Sequence, residues 1–289
     1  MNDRIHAGRV IASRKLLEAV VTSGYYLALT VGLLLGLYLV SAFADSIGSS
    51  GFSPRLHPVY DHIVRILEAG FGRTFVARVF AEGPFFFALH IAFAPILLYL
   101  ALSSVSRFGS ERNAGAIELL SYGPADGTAY VAGSFCRDIV LAGAALIVLT
   151  LFFGLSAALN NLVLGPMFVY ALFSLCLLSA VTFAYAALVS VTAESASSGI
   201  ALFLGVVILM TVVQAASFMI VAGDVRDLAA FFSLAISWIS PFYYWQVGLD
   251  AVEADRTVIY LLTLLAMAGL SVGLLAASHY VSRYRGVRS

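Results

Sequence analysis

His57, Asp61 and His62 are of residue types that could hold a metal ion, but their spacing argues against it. Two ligands share one helical face at i, i+4, and His-x-x-x-x-His misses that register. The five histidines form no H-E-x-x-H motif. No serine stands in the G-x-S-x-G setting of a nucleophile elbow. A phosphate-binding P-loop requires G-x-x-x-x-G-K-[ST]. The sole lysine, Lys15, follows Arg14, so the chain carries no such loop. If ATP drives this protein, another polypeptide binds it. Cys136 and Cys176 are far apart in apolar runs, and the expectation is two small buried hydrophobes, not a disulfide. No catalytic residue, metal or cofactor is therefore expected.

What remains is recognition chemistry in one polar stretch, Arg107–Phe135, which lies between two long apolar runs. Glu111, Arg112, Glu118 and Asp126 charge it, and Gly123-Pro124 breaks it. Its composition suits a surface that meets another protein beside a membrane. The elements around it are membrane spans: 61% of the 289 residues are hydrophobic, 11% are charged, and the mean hydropathy is +0.97. A soluble domain carries about 25% charged residues. The formal charge is zero, which makes nucleic acid an unfavourable partner.

Six spans are expected, over Val20–Ala44, Pro84–Ser106, Tyr130–Ala158, Met167–Val191, Gly199–Ala222 and Thr257–Val281, in a single domain over 1–289. The run Tyr25–Ala44 exceeds the ~7–15 residues of a signal-peptide core, so a retained span is expected. Pro95 should kink the second span. Residues 1–19 carry Arg4, Arg9, Arg14 and Lys15, as either an amphipathic interfacial helix or a basic topology signal. Gly32-x-x-x-Gly36 and Gly269-x-x-x-Gly273 have the spacing that lets helices approach closely, within one subunit or across a dimer.

Residues 229–249 could be counted as a further span. Both ends of the chain are basic, and the positive-inside rule places both in the cytoplasm, which requires an even number of crossings. Pro241, among Trp238, Tyr243, Tyr244 and Trp245, suits a broken helix dipping into the outer interface. A re-entrant hairpin within the outer loop 223–256 is expected. Residues 45–83 then form the other large outer loop, and 107–129 a cytoplasmic one. This layout places ten of the 16 basic residues inside. The spans hold few ionisable groups, His90 and at the margins Arg137, Asp138 and His279, which disfavours an ion-coupled carrier.

The run Ser110–Leu120, followed by Pro124 and Ala132-Gly133, resembles the cytoplasmic signature of ABC-type exporter permeases of the type-two class. The acidic residues, Gly115, Glu118-Leu119-Leu120 and Pro124 match. The family's Gly-Lys entering the third span does not, because Ser134 stands where the lysine would be. The overall layout is also similar to that family. The resemblance implies a homodimeric or heterodimeric permease in the cytoplasmic membrane, with a separate ATP-binding subunit at its cytoplasmic face. It makes 107–121 a coupling helix: Glu111, Arg112 and Glu118 supply charged contacts, Ile117, Leu119 and Leu120 apolar ones. The alternatives are a secondary transporter driven by an ion gradient, and a non-transporting membrane assembly or signalling subunit.

Overall fold

The computed structural model describes residues 2–48, 83–114, 127–222 and 237–285, with Pro58, His62, Val64, Arg65 and Glu68 as isolated positions. Every regular element among the described residues is a helix: α1 Asn2–Val21, α2 Ser23–Gly48, α3 Phe85–Asn113, α4 Gly127–Leu159, α5 Pro166–Thr192, α6 Ala196–Ala222, α7 Pro241–Glu253 and α8 Thr257–Arg285. Five of them contain apolar stretches long enough to cross a membrane: Ser23–Ala44, Phe85–Arg112, Ala129–Leu159, Pro166–Thr192 and Thr257–Ser282. The chain is a multi-pass membrane protein. In hydrocarbon every backbone N–H and C=O must find its partner within the helix, which is why these apolar runs adopt that form.

Helices α3 and α5 form the centre. Helix α3 packs against α2, α4, α5 and α6, while α5 packs against α3, α4, α6, α7 and α8. Phe85, Phe93, Phe153, Phe183 and Phe203 are almost completely enclosed, beside fully buried alanines such as Ala92, Ala145 and Ala184. Lipid tails are as apolar as these side chains, so contact area and close backbone approach hold the helices together. Gly32 illustrates this. A Cβ at that position would collide with the Ala92 carbonyl and stand 3.2 Å from Ile96 Cδ1. A Cβ at Gly36 would lie 2.9 Å from Phe153 Cζ. The first glycine pair therefore seats α2 on α3 and α4 of the same chain. At Gly269 and Gly273 a Cβ would meet nothing within 4 Å.

Helix α3 continues through Pro95, which lacks the N–H that would close one ladder bond. Between α4 and α5 the chain turns at Asn161, whose φ of 53° is the left-handed conformation asparagine tolerates. Between α5 and α6, Ser195 and Ser198 exchange side-chain and backbone bonds of 3.0 and 3.2 Å, which caps the start of α6. The two cysteines differ from the sequence expectation: Cys136 and Cys176 are both exposed on the bundle's outer surface and unlinked. Apolar periodicity in a membrane helix does not separate lipid-facing from core-facing positions, because both environments are apolar.

The cross-helix bonds fix the polarity of the bundle. Tyr260 of α8 donates to the Tyr170 carbonyl of α5 at 2.8 Å, and Ser271 donates to Ala180 at 3.3 Å. Helices α5 and α8 therefore run in the same direction. The end of α8 lies toward the end of α5, where α6 begins and where the end of α3, the start of α4 and α1 also meet.

Candidate functional site

At that end of the bundle Lys15 points inward. Its side chain is 8% exposed, whereas that of Arg14 beside it is 82% exposed. Gly133 permits this placement: a Cβ there would lie 3.0 Å from the Gly8 carbonyl oxygen and 3.2 Å from Ala12 N. With no side chain between them, α1 rests on the first turns of α4 and the Lys15 stem passes into the junction with α3.

The ammonium meets three groups. Nζ donates to Ser134 Oγ at 3.0 Å, lies 3.3 Å from Glu111 Oε2, and sits 3.5 Å from the centroid of the Tyr130 ring. Tyr130 in turn donates its hydroxyl to Glu111 Oε2. An ammonium has three N–H donors, and a cation over a ring face is attracted by its quadrupole. Burial pushes the Lys15 amine down to about 8, and the attraction of Glu111 limits that fall.

Glu18 and Thr22 continue the contact along α1. Arg107 of α3 approaches Glu18 at 3.9 Å and donates to Thr22 Oγ1 at 3.5 Å. One turn further on, Arg112 reaches the opposite way. Its guanidinium donates to the Ala193 carbonyl and, at 3.3 Å, to the Val191 carbonyl, which satisfies the end of α5. A cation at a helix C-terminus is favoured there by the helix dipole. Gly109 makes the approach possible, since a Cβ on it would lie 2.5 Å from Ala196 Cα at the start of α6. The last turns of α3 are thus fastened to α1 and α4 on one side and to the α5–α6 turn on the other.

Below this layer Arg137 and Asp138 are 2% and 0% exposed, and Arg137 Nε donates to Asp138 Oδ1 at 2.9 Å. The ion pair itself closes within α4. Asp138 Oδ2 has no hydrogen-bond partner among the described residues. It lines a pocket of about 10 Å³ with Ser104, Ser134, Ser190, Phe108 and Phe183. That volume accepts about one water molecule and no larger solute.

The other expected residues fall as follows. Gly115, Ile117, Glu118, Leu119, Leu120 and Pro124 lie outside the described residues, as do His57, Asp61 and residues 223–236. The Arg4 position belongs to α1, and Arg9 is exposed. Pro241 is the first residue of α7, a position that tolerates its missing N–H. Trp238 is 65% exposed, and Tyr244 donates back to its carbonyl at 2.8 Å. Tyr243 and Tyr244 are half-buried, their ring centroids 5.6 Å apart. Trp245 stacks edge-on against His90 at 5.3 Å, and His90 Nδ1 donates to the Phe86 carbonyl at 2.7 Å.

Sequence reasoning missed Lys15, Tyr130 and Ser134 as a unit. The signal was present in Gly8, Ala12, Lys15 and Ala19, a stripe of small residues at helical spacing interrupted by one cation. Chemically the arrangement holds the helix ends in position. It offers no nucleophile with a base and no cleft for a substrate among the described residues. In comparisons with known proteins, no family model matches the chain and no curated protein matches it significantly.

Proposed function

We propose that this chain is the membrane-spanning permease subunit of an ATP-driven transporter of the ABC type-two class, an exporter of the cytoplasmic membrane. In this reading ATP is bound by a separate subunit that docks on 107–121, and two permease chains associate. One observation carries the reading: the end of α3, at Glu111 and Arg112, is tied by side-chain bonds to α1, to α4 and to the α5–α6 turn. Force applied to the chain as it leaves α3 therefore reaches four other helices. A solvated loop helix has no need of such fastenings, whereas a segment that turns docking into movement of the spans does.

The bundle supports the six-span layout in two ways. Helix α6, Ala196–Ala222, has 27 residues and a length of about 40 Å at ~1.5 Å per residue, enough to serve as the sixth crossing beside the five apolar spans. Helix α7 has 13 residues, about 20 Å, against a hydrocarbon core of about 30 Å. Tyr185, in the second half of α5, donates to the Ile239 carbonyl at 2.5 Å, so the start of α7 sits well inside the bundle. From there α7 rises along α8 to the turn at Ala254–Arg256. This is the returning arm of a re-entrant hairpin, and both termini then lie on the cytoplasmic side.

The reading is tested by co-purification with an ATP-binding subunit and by hydrolysis in proteoliposomes. Glu118→Arg with Ile117→Asp is expected to abolish both association and coupled hydrolysis. Retention of both in that variant would remove the assigned role of 107–121. A second reading, an ion-coupled carrier, has the buried Asp138 carboxylate in its favour. Gradient-driven transport by the isolated chain in liposomes would establish it over the first.

A further inference from the structure

We infer that Lys15 is a positioning residue that latches α1 to the end of α3, making α1 a moving part of the coupling apparatus. The functional half of this inference rests on the permease reading; the latch itself does not.

Helix α1 has two working faces. One carries Gly8, Ala12, Lys15 and Ala19 against α4, with backbone-to-backbone approach at Gly133. The other carries Val10, Leu17 and Val21, which are 52%, 67% and 84% exposed and set apolar surface toward the bilayer. Between these faces α1 is a bar lying on the membrane and bearing on the inner ends of the spans. Small-residue contact alone would let such a bar slide. The buried directional attachment comes from the ammonium, which binds Ser134 on α4 and Glu111 on α3 at once, and Arg107 of α3 adds longer contacts to Glu18 and Thr22.

The family pattern places a lysine directly after the glycine that is Gly133 here. In this chain Ser134 occupies that position and Lys15 Nζ lies on its hydroxyl. The cation reaches the same place from another helix. The consequence is mechanical: a lysine on α4 could neutralise Glu111 but could not tie α1 to it. Glu111 keeps 29% of its side chain exposed, so it also faces the side from which a partner would approach. Displacement of Glu111 by docking therefore pulls on α1.

The test uses the full chain in nanodiscs, with Cys136→Ala and Cys176→Ala and a nitroxide at Leu17→Cys. Lys15→Met keeps the stem and removes the charge. It is expected to raise nitroxide mobility and to reduce hydrolysis by the associated ATP-binding subunit about fivefold or more, the scale of a typical coupling energy, while association persists. The transposed chain, Lys15→Ser with Ser134→Lys, returns a cation to Glu111 without tying α1, so α1 is expected to stay loose and hydrolysis to stay reduced. Restored hydrolysis in that chain overturns α1 as a part of the coupling apparatus. An immobile nitroxide in Lys15→Met overturns the latch. Unchanged hydrolysis in Lys15→Met overturns the role of the cation in coupling. If the unmodified chain supports no coupled hydrolysis, the permease reading fails, and nitroxide mobility alone decides the latch.

Discussion

Lys15 is the only lysine among 289 residues, so its titration can be followed in isolation. With its amine pushed down to about 8 from an ordinary 10.5, the folded chain releases this proton well before an unfolded chain would. Between those pH values the unfolded state binds more protons, so this group's contribution to stability increases as pH rises through about 8 to 10.5. Below about 8 the amine is charged in both states, and the cost of burying it is constant. Glu111 and Arg107 from α3, Tyr130, Arg137 and Asp138 from α4, and Glu18 from α1 are the charged and titratable groups around it. In protein labelled with lysine carrying a ¹³C at Cε, a single side-chain resonance is expected to titrate with a midpoint near 8. A midpoint near 10.5 would place the amine in water. The residue types at this site were legible in the sequence, but the direction of Lys15 was not. An Arg14-Lys15 pair on a helix bearing other basic residues looks like a solvated face, and the long lysine stem suits both lipid surface and protein interior.

Helix association here depends on where a Cβ can fit. Gly32→Ala drives a methyl into the Ala92 carbonyl, which is main chain and cannot step aside as a side chain does. The expected loss is about 1–3 kcal/mol, the usual cost of overpacking. Gly269→Ala, in open space, is expected to change stability by less than about 0.5 kcal/mol. Reversible unfolding in mixed detergent micelles distinguishes the two, and equal effects would contradict the packing described for α2. Both glycine pairs have the same spacing in the sequence. Only their neighbours differ, and a four-residue period carries no information about what stands opposite it. The same limit applies to Cys136 and Cys176, whose apolar surroundings fit both the core and the lipid face.

Across the whole molecule, the shared direction of α5 and α8 and the contacts of α1 bring α1 and the end of α8 to one side of the bundle. Reporter fusions at residue 1 and residue 289 are expected to give the same cytoplasmic signal. Opposite signals would require an odd number of crossings and would make the segment before α7 a full span. Dimerisation and the docking of an ATP-binding subunit belong to this scale as well, as proposals that the co-purification experiment decides.

Membrane character, the positions of the long helices and the absence of a P-loop or zinc motif follow from the sequence alone. Each depends on composition, on the length of apolar runs or on local spacing, and the bilayer enforces the helical form. The tertiary structure alone decided which charges meet. Lys15 and Glu111 are 96 positions apart, and Arg112 reaches carbonyls about 80 positions away. Such pairings arise from helix rotation and close approach at Gly109 and Gly133, which depend on shape between helices and leave no periodic trace within any one of them.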